Sequence, residues 1–205
     1  MSPGQTTERV YGLIKAQIMS GVRRPGERLD PAGMAIDLNA SATPVRDALH
    51  QLLGERLVEA WPREGFKVPV PTEAALRDLY AWHGDLLDLL LRGRKPPLPS
   101  PKPMPPATHA EFADRTQSLF TAIAGSLGSD EHRRAVAAAG ERLRRARVAE
   151  ASIFADLAGE YGTLVQSWSS FDLAQLRTQL ARYHRRRARH VTPIVARILT
   201  PDPRG

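Results

Sequence analysis

The chain has 205 residues, 42% of them apolar, with 29 Lys or Arg against 22 Asp or Glu and no cysteine. That composition allows one large core or two small ones, and the lack of cysteine excludes disulfides, thiolate metal sites and cysteine nucleophiles together. No apolar run approaches a bilayer's thickness and the first residues lack the basic-then-apolar layout of a secretion signal, so a cytoplasmic protein with no membrane partner is expected. The net charge of +7 points to a polyanionic partner without locating it. Residues 1–71 carry nine Lys or Arg against eight Asp or Glu, and residues 72–205 carry twenty against fourteen. The first third must therefore be read from local pattern.

Val10, Leu13, Ile14 and Ile18 recur at three- and four-residue steps and predict an amphipathic helix from about Thr7 to Ser20, ended by Gly21. Arg24-Pro25-Gly26-Glu27-Arg28-Leu29 supplies a Pro-Gly turn and a short extended piece. Asp30 then caps a second helix from Pro31 to Leu38 with Met34, Ala35 and Leu38 inward. Asn39-Ala40 leads straight into a third helix, and two helices joined so tightly make a helix-turn-helix.

That third helix opens on Ser41-Ala42-Thr43-Pro44-Val45-Arg46. Ser41 is placed to cap it, and Pro44 is tolerated because first-turn amides need no intrahelical acceptor. Val45, Ala48, Leu49 and Leu52 form its inner face, while Arg46 and His50, four apart, share another. Leu57–Trp61 and Phe66–Val70 are β-prone runs separated by Pro62-Arg63-Glu64-Gly65, which predicts a two-stranded hairpin, or wing.

Leu76, Leu79, Tyr80, His83, Leu86, Leu87 and Leu90 predict a packed helix over Thr72–Arg92. Seven prolines in residues 94–106 read as a stiff linker. Four further helices are expected at about 108–127, 130–149, 150–168 and 171–199, enough for a bundle. The run Arg182–His190 is the densest positive patch, read as a solvated helix face or as a contact for DNA flanks or an acidic partner. The expected fold is mainly α: an N-terminal winged helix-turn-helix over 1–71 with a two-stranded wing, and an all-helical bundle over 72–205.

Residues 1–71 resemble the DNA-binding domain of the GntR family of bacterial transcription regulators, in the branch with an all-helical sensing domain. The resemblance rests on Pro25-Gly26-Glu27-Arg28-Leu29, Met34-Ala35 with Leu38, Ser41 with Thr43-Pro44-Val45-Arg46, Ala48-Leu49, Leu57-Val58-Glu59, and Pro62-Arg63 with Gly65-Phe66. It implies a homodimer on double-stranded DNA, with the third helix in the major groove and the wing tip toward the minor groove. The DNA-facing residues it implies, together with the exposed face of the third helix, are Ser41, Thr43, Pro44, Arg46, His50, Arg63, Glu64 and Gly65. Two departures, Ala42 where relatives carry Arg and Gly33 where they carry a charged side chain, remove polar reach and should cost base discrimination more than phosphate affinity.

The second half is more loosely similar to that branch's sensing domain, which holds a metal through one Asp and three His and binds a small carboxylate effector. Gln117, Thr121 and Tyr161 stand where the Asp and two of the His belong, and His184 alone matches. No metal and no cofactor is therefore expected. His83 and His184 are the candidate contacts for a small-molecule effector. An enzyme on the helical half is disfavoured by the lack of a paired-histidine motif or a glycine-rich phosphate loop. A helical protein-interaction module with degenerate DNA binding is the other reading.

Overall fold

The structure is a computed structural model that describes residues 3–61, 65–92 and 109–200. The chain divides into two compact units, Met1–Pro71 and Thr72–Gly205. The proline-rich stretch 94–106 and the expected wing-tip residues Arg63 and Glu64 lie outside the described residues.

In the first unit, helix α1 (Pro3–Ser20) begins four residues before the expected Thr7 and ends where Gly21 takes a φ of +88° that favours glycine. Val10, Ile14 and Ile18 are buried, while Leu13 is 41% exposed and falls off the packed stripe. Gly26, at φ +80°, folds the chain back so that its N–H donates to the Val68 carbonyl while the Val68 N–H donates to Glu27. This exchange places Arg28–Leu29 as strand β1. Asp30 caps α2 (Pro31–Asp37), its carboxylate accepting from the Gly33 N–H at 2.9 Å. Beyond α2, Asn39 turns at φ +49° and Arg9 of α1 donates to the Leu38 carbonyl at 3.1 Å, satisfying backbone that the helix end leaves open.

Helix α3 runs Ala42–Gly54. Ser41 holds the extended N-cap conformation, yet its hydroxyl accepts nothing from the first turn, contrary to the capping expected of it. Pro44, in that first turn, still suits a helix start, because it has no N–H that would need an acceptor there. Tyr11 and Lys15 of α1 both reach Glu55, at 2.7 and 3.0 Å, fastening α1 to the far end of α3.

Strands β2 (Glu59–Trp61) and β3 (Gly65–Lys67) pair antiparallel, and β1 joins the other edge of β3, giving the order β1-β3-β2. The sheet is thus three-stranded where a two-stranded wing was expected. A two-residue strand has no periodicity to read; only its partner, Leu29 opposite Phe66, makes β1 visible. Leu29, Phe66 and Val68 close a core with Val10, Ile14, Val45, Ala48, Leu49 and Leu52.

The second unit is all helical among its described residues: α4 (Glu73–Leu91), α5 (His109–Leu127), α6 (Asp130–Arg142), α7 (Arg144–Glu150), α8 (Leu157–Ser169), α9 (Leu173–Arg189) and α10 (Val191–Leu199). Every residue of the stripe expected on α4 is buried, and Thr72 caps that helix by accepting from the Ala75 N–H. Six helices stand beyond residue 108 where four were expected. The 130–149 segment breaks at Leu143. The 171–199 segment breaks at His190, since Pro193 offers no N–H and its ring would clash with the Arg189 carbonyl in a continuous helix. Gly84 lets α4 approach α9: a Cβ there would lie 3.0 Å from the His184 ring.

Candidate nucleic-acid interface and the polar core of the helical unit

Helix α3 has two distinct faces. Val45, Ala48, Leu49 and Leu52 are fully buried, whereas Ser41, Thr43, Arg46 and His50 are exposed and Pro44 is half-buried. Arg46 makes no hydrogen bond or ion pair with a described residue, so its guanidinium is available to a ligand's phosphate or base edge. His50 is otherwise engaged: its ring meets Phe66 edge-on at 5.0 Å, which fixes β3 against α3. Gly65 opens β3 at φ +97°, in the left-handed region that favours glycine. Ala42 is half-buried and packs at the edge of the core rather than standing clear of it.

Sequence reasoning passed over two basic side chains. Arg28 and Lys67 are directly paired across β1 and β3, with Glu59 facing Lys67 from β2, so all three share the sheet's outer face. The Glu59 carboxylate lies 3.4 Å from the Lys67 ammonium. The available signal was alternation: Leu29 and Phe66 point inward, so Arg28 and Lys67 must point out.

In the helical unit, His83 and His184 are brought together and buried, with His83 Nδ1 2.8 Å from His184 Nε2. Their tautomers follow from their partners. His184 Nδ1 lies 2.7 Å from the Leu180 carbonyl, which only accepts, so Nδ1 carries the proton and Nε2 is bare. His83 must then donate from Nδ1, leaving its Nε2 lone pair toward the Arg147 guanidinium at 3.5 Å. Burial lowers both pKa values; the Arg147 cation lowers them further, and His184 falls to about 3. Both rings are neutral at physiological pH.

Gln117 and Thr121 are also brought together: the Gln117 amide donates to the Thr121 hydroxyl and the Ala137 carbonyl, both at 3.2 Å, and accepts from Arg147 at 2.6 Å. Gly140 leaves the space that the Gln117 amide fills. The Tyr161 hydroxyl is buried without a partner. Among the described residues no three His, Asp or Glu side chains converge as a metal site would require.

A second buried network was hidden in the basic run. Arg187, 0% exposed, donates to Glu150 at 2.8 Å and Glu160 at 2.7 Å, and Tyr80 donates to the other Glu150 oxygen at 2.6 Å. Arg186 is tied to Asp156 and Glu160. Of the arginines in the run, Arg182, Arg185 and Arg189 remain exposed. The run is therefore not a uniform solvated face.

Three helices, a tight turn and a short antiparallel sheet give the first unit the winged helix-turn-helix fold. Residues 6–68, which lie within the first unit, match the family described as bacterial regulatory proteins, gntR family. An HTH-type transcriptional regulator of Bacillus subtilis strain 168, YdhC, is 30% identical over 70 residues, a stretch covering 34% of this chain and 31% of that protein. The chain spans less than a third of that relative's length. In fold it is similar to a GntR transcriptional regulator from Rhodococcus sp. RHA1, with a TM-score of 0.76 at 19% identity, covering 91% of this chain and 97% of that one. McbR/YncC of E. coli aligns over the same shares, with a TM-score of 0.62 at 19% identity. No helix among the described residues is long and apolar enough to cross a membrane.

Proposed function

We propose that the chain acts as a cytoplasmic homodimer, assembled through residues 72–199, that binds an inverted-repeat operator with one α3 in each major-groove half-site and regulates transcription there. The observation that carries this reading is the two-faced α3, its apolar side locked into the core and Thr43 and Arg46 left exposed beside the wing sheet. A two-fold dimer presents two equal recognition helices, which is why the site should be an inverted repeat. Arg63, Glu64 and Gly65 serve the wing tip, and Arg28 and Lys67 add phosphate attraction from the sheet's outer face. A small carboxylate effector, bound in the helical unit that holds His83 and His184, modulates binding.

Binding-site selection with the full chain, together with sedimentation at micromolar concentration, tests the proposal. An inverted-repeat consensus and a dimer are expected; a monomer with no consensus would leave the protein-interaction reading.

Ala42 gives this protein low discrimination for a regulator of its kind, because a half-buried methyl offers a base edge only van der Waals contact. Ala42→Arg should raise specific over random affinity by roughly 1–3 kcal/mol per half-site where guanine faces it. Parallel selections on both proteins at one salt concentration check this: a gain of information at that position is expected, and identical consensus and information content would contradict it.

A further inference from the structure

The antiparallel sheet of the first unit has an inner and an outer face, and a single row of side chains lies on the inner one. Leu29, Phe66 and Ala60 stand opposite one another across β1, β3 and β2, so all three share that face. Burial falls along the row: Leu29 is 0% and Phe66 8% exposed, and Ala60 is exposed. The hairpin is rooted in the core by Val58 before β2 and Val68 after β3. Between those roots Phe66 is the one buried side chain among the described residues. The outer half of the sheet therefore overhangs the core.

His50 stands against that overhang. It is exposed on α3, one turn beyond Arg46 on the same face, and its ring meets the Phe66 ring at 5.0 Å with an interplanar angle of 83°. Edge-to-face rings attract through their quadrupoles and favour a limited set of approaches, so this contact sets an angle as well as a distance. Phe66 follows Gly65, which has no side chain to brace β3, and precedes Lys67, which lies on the outer face. Phe66 is thus the lever through which α3 holds β3.

We infer that His50 is a positioning residue: through the Phe66 ring it fixes the hairpin's angle to α3, and with it the spacing along a duplex between the Arg46 contact and the contact made by the hairpin. A helix in the major groove and a hairpin directed at the neighbouring minor groove must keep a fixed separation if each is to meet the same base pairs in every complex. A hairpin free to tilt would still meet phosphate but would read no fixed pair. The minor groove distinguishes A·T from G·C, so preference at the flanks of the operator is what His50 controls. This rests on the reading of the first unit as an operator-binding domain, and it has His50 acting through Phe66 rather than by reaching a base.

Binding of the full chain to two operators tests it, both carrying the consensus selected for the wild type and differing only in A·T or G·C pairs at the flanks. The wild type is expected to favour one flank by roughly fivefold or more. His50→Ala and Phe66→Leu should each bring that preference close to none, and the double variant should lose no more than either alone, since both remove the same contact. His50→Phe, which keeps a ring against Phe66 and lacks the imidazole nitrogens, should restore it. In the protein without DNA, amide exchange along β3 should be roughly threefold or more faster in His50→Ala than in the wild type, and normal in His50→Phe. Additive losses, or a loss in His50→Phe equal to that in His50→Ala, would make His50 a direct DNA contact and overturn the assignment. So would a wild type without flank preference, or β3 exchange unchanged in His50→Ala. A wild type that selects no operator overturns the operator-binding reading and this one with it, whereas the exchange measurement, made without DNA, fails only if His50 does not hold β3. If Phe66→Leu does not fold, the comparison of His50→Ala with His50→Phe decides alone.

Discussion

Glu150→Ala is expected to destabilise the helical unit by about 3–5 kcal/mol, the cost of breaking a buried ion pair from one side. Glu150 is 0% exposed and accepts from Arg187 with one oxygen and from Tyr80 with the other. Its removal leaves the Arg187 Nε–H and the Tyr80 hydroxyl without acceptors in a site closed to water. Glu160 retains part of the guanidinium, which keeps the loss finite. Glu150→Gln keeps one carbonyl oxygen for the Arg187 Nε–H while the Tyr80 hydroxyl can turn to accept from its amide, and should cost less. Urea unfolding followed by circular dichroism distinguishes the two variants; equal and small losses would show that the network carries little of the unit's stability.

Acidification is expected to destabilise the same unit steeply. Both buried histidines have pKa values lowered in the folded state, His184 to about 3, first by burial and then by nearby arginines. Below the ordinary histidine value near 6.5 the unfolded chain takes up protons that the folded one refuses. Stability therefore holds above about pH 6.5 and falls as pH drops toward 3, by about 1.4 kcal/mol per pH unit for each histidine. The charged groups facing the pair are Arg147 and Arg187, which remain cationic throughout, and the Leu180 carbonyl bonded to His184 offsets the penalty only in part. Urea midpoints between pH 7 and pH 4.5 read the slope. His184→Gln should reduce it by about one proton's worth; an unchanged slope would mean that the pair is protonated in the folded state.

The readable and the unreadable parts of this chain differ by physical cause. Local signals carried the first unit: the Asp30 cap, the glycine at position 21 and the apolar spacing of α3 act within a few residues and were visible in the sequence. The stripe of α4 was equally legible, with His83 on it. Strand β1 was not, because a strand of two residues exists only through its partner. The two buried arginines were missed because charge was taken as a mark of solvent. Position gave a contrary signal: Arg187 continues the Leu176, Leu180, Tyr183 stripe, and Arg147 and Glu150 lie four and seven residues beyond Leu143. Helical register was the better guide to burial there than residue type. The break at His190 was legible from Pro193, which the reading of one long helix passed over.

The exposed Arg46 is central to the account, since it is the guanidinium that α3 presents away from the core without a described partner. Equilibrium binding of the wild type and Arg46→Ala to the selected operator and to a random duplex, at one salt concentration, is the most direct test. Specific affinity should fall by roughly 1–3 kcal/mol if Arg46 pairs with a base edge, with random-duplex affinity reduced much less. Equal loss on both duplexes would make Arg46 a phosphate contact only, and no loss on either would contradict the placement of α3 on DNA.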